Sequence, residues 1–347
     1  MRLFYTLIFV ILISSCKEET KKEVSEFDSI LKPEIIRIEG IGMPVRMKVD
    51  YNNDLLYVLM MDGQFLVKVW SLDGYNLQNS FVTKGEGPQE QIIGWTLQID
   101  HQKRMIFSTD PIKKRLFAYS MDSVLSNTLG FAPSFQIDLR KQPPQKPLVL
   151  SDSTILDFRE NYLTGDSFAY NKINFQGDLI KPVGGFPSSS EKISNYQESA
   201  AYAGDLNISE DGSFIIRTYS FTDKIEKLDL NGNVLKTYHG PLGFEPSFAT
   251  DDLGGGSSRV RPVKNSLKAF VKQAVIGKNK VYVLFDGKDF YRDDEQANIL
   301  LEFDLDLNLK RILKLEQSIN SFDIDFENNV LYALSVDYED HLIKYML

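Results

Sequence analysis

Few residues of this chain could do chemistry, and the most isolated of them is Cys16, its single cysteine. A thiol is a strong nucleophile and a metal ligand, so its setting decides its use. Arg2 is the only charge before it, Leu3 to Ile13 is a largely apolar run, and Lys17-Glu18-Glu19 follow at once. That run is well short of the roughly 20 residues a membrane-spanning helix needs, and reads as a secretory signal. The three histidines, His101, His239 and His341, fall in a turn, a loop and an outer strand with no second ligand at zinc spacing, so no metal site is expected from them. Asp304, Asp306 and Asn308 begin like a calcium loop, but Leu309 and Leu315 stand where glycine and glutamate are needed. Gly85-Glu86-Gly87-Pro88 lacks the third glycine and the Lys-Ser/Thr pair of a phosphate loop, and Gly254-Gly255-Gly256-Ser257-Ser258 has no nucleophile-elbow pattern. No complete catalytic set is present.

Ile13-Ser14-Ser15-Cys16 resembles the bacterial lipobox, which implies that Cys16 is lipidated and becomes the first mature residue. Lys17-Glu18-Glu19 resembles the lysine-plus-acid signal that sends lipoproteins to the cell surface. Several acyl chains on one residue anchor a protein stably where one chain does not. A lipidated Cys16 leaves no thiol for a disulfide, a metal or a nucleophile. Residues 18–32 are polar and charged and are expected to form a flexible tether, with folding from near Pro33. The formal charge is −9, and loss of Arg2 with the signal makes it −10; this argues against nucleic acid as a partner and leaves the lipid anchor as the membrane attachment.

The elements that must position any site come from a repeat. Segments starting at Val49, Ile99, Leu150, Ile208, Ile276 and Ile324 each close a strand, turn through polar residues and enter a run of β-formers such as Leu55-Leu56-Tyr57-Val58. The starts lie 50, 51, 58, 68 and 48 residues apart, a propeller-blade length. A second hairpin follows each of the first five, with Asp73-Gly74, Gln176-Gly177 and Asn231-Gly232 as turn dipeptides. Two hairpins make a four-stranded blade. The sixth unit stops after its third strand, His341 to Leu347, and Glu34 to Gly40 is expected to supply the missing outer strand and close the ring. The predicted fold is an all-β, six-bladed β-propeller. Residues 1–15 are then the lipoprotein signal peptide, 16–32 the tether and 33–347 the propeller.

With its lipobox, its blade length and Lys84-Gly85-Glu86-Gly87-Pro88-Gln89-Glu90, the chain resembles the six-bladed, TolB-like propeller lipoproteins of Bacteroidetes-type bacteria. It departs from their Gly-x-Gly-Pro-Gly-Glu turn at Gln89. The resemblance implies fold and an outer-membrane, periplasmic or surface location, and no particular ligand.

In a propeller the second-to-third-strand loops and the blade-to-blade links open on one face, around the mouth of the central channel. Asp110, Glu160, Tyr219, Asp286 and Asp337 are expected there, with Arg159 and, from the long insertion after His239, Arg259 and Arg261. The two guanidinium groups Arg159 and Arg261 suit an anionic or polar ligand. The expected function is a monomeric, lipid-anchored, non-enzymatic binding or protein-interaction propeller with an envelope protein or polar ligand as partner. One alternative is a calcium-dependent lactonase or esterase type of propeller, drawing on Asp110, Glu160, Asp286 and Asp337; another is a structural accessory of an outer-membrane complex. No cofactor is expected for the binding role, and calcium for the hydrolase.

Overall fold

Leu55–Met60, the stretch LLYVLM, is buried at every position, as a strand must be when a neighbouring sheet covers each of its faces. The same holds at Ile215–Tyr219 and Val330–Leu334. Adjacent blades supply those covering faces. The computed structural model describes residues 24–126, 129–159, 168–187, 195–254, 257–263, 266–291 and 296–347.

Two short strands, β1 (Ser29–Leu31) and β2 (Glu34–Arg37), precede the first blade. Blade 1 is β3 (Pro44–Asp50), β4 (Leu55–Met60), β5 (Phe65–Ser71) and β6 (Leu77–Thr83). Blade 2 is β7 (Thr96–Asp100), β8 (Met105–Asp110), β9 (Arg115–Ser120) and β10 (Phe135–Asp138), with helix α1 (Met121–Leu125) between its last two strands. Blade 3 is β11 (Leu148–Val149), β12 (Thr154–Phe158), β13 (Tyr170–Asn174) and β14 (Leu179–Val183). Helix α2 (Asn195–Ala201) leads into blade 4: β15 (Gly204–Ile208), β16 (Ile215–Tyr219), β17 (Lys224–Leu228) and β18 (Val234–His239). A hairpin of β19 (Phe248–Gly254) and β20 (Ser257–Pro262) is inserted before blade 5, which is β21 (Leu267–Gly277), β22 (Lys280–Asp289), β23 (Ala297–Asp304) and β24 (Leu309–Ile319). Blade 6 is β25 (Ser321–Asp325), β26 (Val330–Leu334) and β27 (His341–Met346). No helix among the described residues is long and apolar enough to cross a membrane.

The first hairpin of every blade turns with the same device. The turn before the second strand holds a left-handed residue: Asp54, Arg104, Ser153, Gly212, Asn279 (after Lys278, also left-handed) and Asn329 in blades 1 to 6. Polar side chains of the turns accept backbone N–H groups, as Asp50 does from Asn53 and Asp325 from Asn328.

Blade 6 is completed by β2, which pairs antiparallel with β27 in the register Glu34↔Lys344 to Arg37↔His341, as the truncated sixth repeat predicts. Blade 5 has a fifth strand that the sequence reading missed. β1 runs parallel to β24, with Ser29 opposite Leu313, while Asp28 exchanges hydrogen bonds with Ile312 through its backbone N–H (2.9 Å) and its carboxylate (2.7 Å). Val24 packs against the core between blades 4 and 5. The folded body therefore begins before Pro33, and residues 24–32, expected as tether, instead cover the open edge of the long strand β24.

Candidate functional site

The first strands of the six blades ring the channel, and every second side chain along them points inward. β3 contributes Arg46 and Lys48, β7 Gln98, β15 Asp205 and Asn207, and β25 Asp323, while Lys146 enters from the link before β11. Together they line a cavity of about 170 Å³. Some of these side chains join neighbouring blades. Gln98 forms a two-way pair with the backbone of Val149 (2.8 and 2.9 Å), Asn207 does so with Ala274 once its amide is turned to face both groups (3.2 and 3.0 Å), and Asp323 accepts the Val49 N–H (2.9 Å). Others cross the channel. Blades 1 and 4 are opposite in a ring of six, yet Arg46 reaches Asp205 at 3.2 Å and the Tyr51 hydroxyl donates to Glu210. Arg46 and Asp205 lie at the mouth ends of their strands, Tyr51 and Glu210 just beyond the far ends. The cavity is thus bridged across its diameter at both ends.

The mouth face carries the second-to-third-strand loops and the blade-to-blade links, and large apolar side chains stand exposed on it. They are Met43 and Met61 at blade 1, Trp95 and Ile112 at blade 2, Phe168 at blade 3, Tyr291 at blade 5 and Val336 at blade 6. Over blades 4 and 5 the rim is built up by the insertions. Phe221 packs edge-on to Phe248 and Phe290 at 4.9 and 5.0 Å, and the Tyr291 hydroxyl donates to the Pro262 carbonyl, so the β19–β20 hairpin is fastened to both blades. On the opposite face the link around α1 exposes Leu125 and Leu129, and the remaining turns are polar. Other exposed large apolar residues sit mainly on outer strands, such as Leu179 and Ile180 on β14.

The residues expected at the mouth have different fates. Asp110 is fully buried, and its carboxylate accepts backbone N–H groups from Ile92 (2.6 Å), Ile112 (2.9 Å) and Lys113 (3.0 Å). It fastens an inter-blade link to a turn, as Asp62 does for Met43 and Asp157 for Gln145 and Lys146. Tyr219 is buried too, its hydroxyl donating to Glu226, and burial pushes its phenol well above the usual range. Asp286 is buried in β22. Asp337 is exposed and accepts from Gln296 at 2.9 Å, joining blade 5 to blade 6. Arg159 donates to Asn171 at 2.8 Å, and Arg261 pairs with Asp251 at 2.6 Å within the inserted hairpin. Arg259 lies on β20, its side chain outside the description, while Glu160 and Cys16 lie outside the described residues.

These positions do not converge. Asp110, Tyr219 and Asp286 are buried, and the first two are engaged by hydrogen bonds within the scaffold. Among the described residues no group of three or more His, Cys, Asp or Glu could hold a metal ion, so the carboxylates considered for calcium are not gathered there. Gly85 to Glu90 is a structural turn in which the Glu90 carboxylate accepts the Gly87 N–H at 2.8 Å.

Sequence reasoning also missed a buried arginine. Arg217 on β16 is fully buried, with Tyr219 and Tyr170 rings 4.3 and 5.1 Å from its guanidinium and Phe158 and Phe186 each at 5.9 Å. Glu226 lies 3.8 Å away, and Arg217 donates to the Tyr202 carbonyl (3.2 Å) and the Gly185 carbonyl (3.4 Å). One cation therefore holds both ends of the insertion between blades 3 and 4 against the mouth face. Its sequence signal was a lone cation inside the apolar run Ile215-Ile216-Arg217.

Residues 18–327 match the family model described as TolB-like 6-blade propeller-like. Among solved structures, a member of the duf4221 family from Bacteroides vulgatus is 7% identical with a TM-score of 0.58, over 90% of this chain and 95% of that one. An exported protein from Bacteroides fragilis is 13% identical with a TM-score of 0.52, over 91% and 94%. The virginiamycin B lyase of Staphylococcus aureus is 10% identical with a TM-score of 0.51, over 91% and 99%. At these identities the likeness is one of fold. No curated protein matches the chain.

Proposed function

Because the chain belongs to the TolB-like six-bladed propeller family, we propose that it is a non-enzymatic binding propeller, anchored by lipid at Cys16 in the bacterial outer envelope, which docks its mouth face on an envelope protein. The observation that carries this reading is the one-sided surface. Met43, Met61, Trp95, Ile112, Tyr291 and Val336 come from four blades and share the mouth face. Apolar side chains gathered on one face of a soluble fold favour a partner that removes them from water, and aromatic and methionine side chains are enriched in such interfaces. A role as accessory to an outer-membrane complex is one form of the same docking.

The anchor fits the geometry. Cys16 is eight residues before Val24, which packs on the propeller, and eight extended residues reach roughly 28 Å. A lipidated Cys16 would hold the body close to the membrane surface, where an envelope partner is found. The test uses full-length protein in its bacterial host, fed labelled palmitate and crosslinked. Wild type is expected to carry label, Cys16→Ala none. Trp95→Asp and Val336→Asp are expected to abolish the crosslinked partner that Asn52→Asp, on the opposite face, retains. Unlabelled wild type would contradict the anchor, and a partner kept by both rim variants would contradict the docking face.

A further inference from the structure

The charges on the channel wall are not balanced at its mouth end. Arg46 and Lys146 both approach the same oxygen, Asp205 Oδ1, each at 3.2 Å. Lys48, two residues beyond Arg46 on the same strand face, has Asp323 as its carboxylate at 3.7 Å, beyond hydrogen-bond length. Asp323 is already engaged, with Oδ2 accepting the Val49 N–H at 2.9 Å and Oδ1 the Ile324 N–H at 3.0 Å. Toward the mouth three cations thus share two carboxylates, while the third carboxylate of the lining, Glu210, is held by Tyr51 at the opposite end. In a partly desolvated channel, cations set at one end and the balancing carboxylate at the other draw an anion to the cationic end. The cavity beside them, about 170 Å³, far exceeds the roughly 10–15 Å³ that holds one water. The side chains of Lys146 and Lys48 keep 31% and 22% of their exposure, so solvent reaches them.

We propose that the channel is a binding site for a small organic acid, its carboxylate held by Arg46, Lys48 and Lys146. Asp205 is the built-in stand-in: its carboxylate already occupies the place between Arg46 and Lys146, which shows that the two cations are spaced for a carboxylate. A ligand carboxylate adds a third anion to the three cations, or displaces Asp205 from its two partners. Both ends of the cavity are bridged, by Arg46–Asp205 at the mouth and Tyr51–Glu210 at the far end, and the cations stand nearer the mouth, so an anion is drawn in from that side. This site goes beyond the docking role and does not depend on it, because its residues lie inside the ring and not on the rim.

The experiment titrates the purified full-length protein in detergent, calorimetrically, with succinate, glutarate and glucuronate, and with glucose and inorganic phosphate as controls. At least one carboxylate is expected to saturate with one site per chain while glucose and phosphate do not. Lys48→Gln and Lys146→Gln are expected to weaken that binding about tenfold or more. Asp205→Asn, which removes the internal competitor, is expected to tighten it several-fold, a change of sign that general damage to the fold would not produce. Melting curves identify any variant that has lost its fold, and Lys48→Gln, whose carboxylate partner lies beyond hydrogen-bond length, serves as the independent variant. No saturable carboxylate binding to wild type, equal binding of phosphate, or binding unchanged in both lysine variants would overturn the proposal.

Discussion

Arg46 and Asp205 are 159 residues apart in sequence and meet at 3.2 Å across the diameter of the channel, one from blade 1 and one from blade 4. Their side chains retain only 14% and 13% of their exposure, so the pair is worth more than a solvated surface bridge, and Lys146 leans on the same carboxylate. Asp205→Ala leaves two cations facing each other and is expected to cost about 1–3 kcal/mol in urea unfolding. Adding Arg46→Met to that variant is expected to restore part of the loss, because the repulsion goes with the charge. A fully additive double variant would show that the two residues are not coupled.

Arg217 holds a buried charge with a single carboxylate, Glu226, and four aromatic rings around it. Arg217→Met is expected to destabilise by roughly 3–5 kcal/mol, since Glu226 is left buried without its cation, holding only the Tyr219 hydroxyl. Glu226→Gln in the same chain is expected to return a measurable part of that. Limited proteolysis is also expected to cut near residues 185 to 202 sooner in Arg217→Met, because the anchor of both ends of that insertion is gone. Unfolding midpoints and cleavage rates equal to wild type would refute the anchor.

Glu302 gives the stability of blade 5 an acid limb. Burial pushes its carboxyl up, but hydrogen bonds from Arg311 (2.7 Å), Tyr282 (2.9 Å) and Lys280, whose ammonium is 3.2 Å away, outweigh burial and hold it below its ordinary value of 4.5. The unfolded chain then binds its proton more readily than the folded one. This stabilisation is fully present above the unfolded pKa and is lost as pH falls through the lower folded value. Glu302→Gln is therefore expected to lower stability at neutral pH by about 1–2 kcal/mol and to lose less on acidification than wild type. Parallel losses in the two proteins between neutral and acid pH would remove Glu302 from the limb.

Closure of the ring rests on β2 against β27, and β1 seals the neighbouring edge. A chain beginning at residue 38 exposes both edges and is expected to melt roughly 10 °C or more below one beginning at residue 24. Equal melting would mean that the ring is held by the inter-blade core alone.

Much of this was legible before the fold. The blades are readable because each second strand is largely buried and rich in β-formers, as at Leu55 to Met60, while each turn before it carries a residue able to take a left-handed backbone. The site was less legible. Val45-Arg46-Met47-Lys48-Val49-Asp50 alternates openly, and Asp205 and Asn207 alternate in the same way on β15. Which two strands face each other across a ring is a non-local fact, and no spacing rule pairs residue 46 with residue 205. Attention to loops then favoured Asp110, a good binding residue by type, whose carboxylate is consumed by three backbone N–H groups. Residues 24–31 were read as tether along with the polar stretch before them, yet Val24 and Leu31 pack on the core while the main chain pairs with β24.

The most direct measurement of the central claim is site-specific photocrosslinking in living cells, with a photoreactive amino acid placed in turn at Trp95, Val336, Asn52 and Asn231. The first two positions lie on the apolar mouth face and the last two in polar turns on the other. The docking account expects one envelope protein to be captured from both mouth positions and from neither far-face position. Capture from Asn52 and Asn231 with silence at Trp95 and Val336 would contradict it.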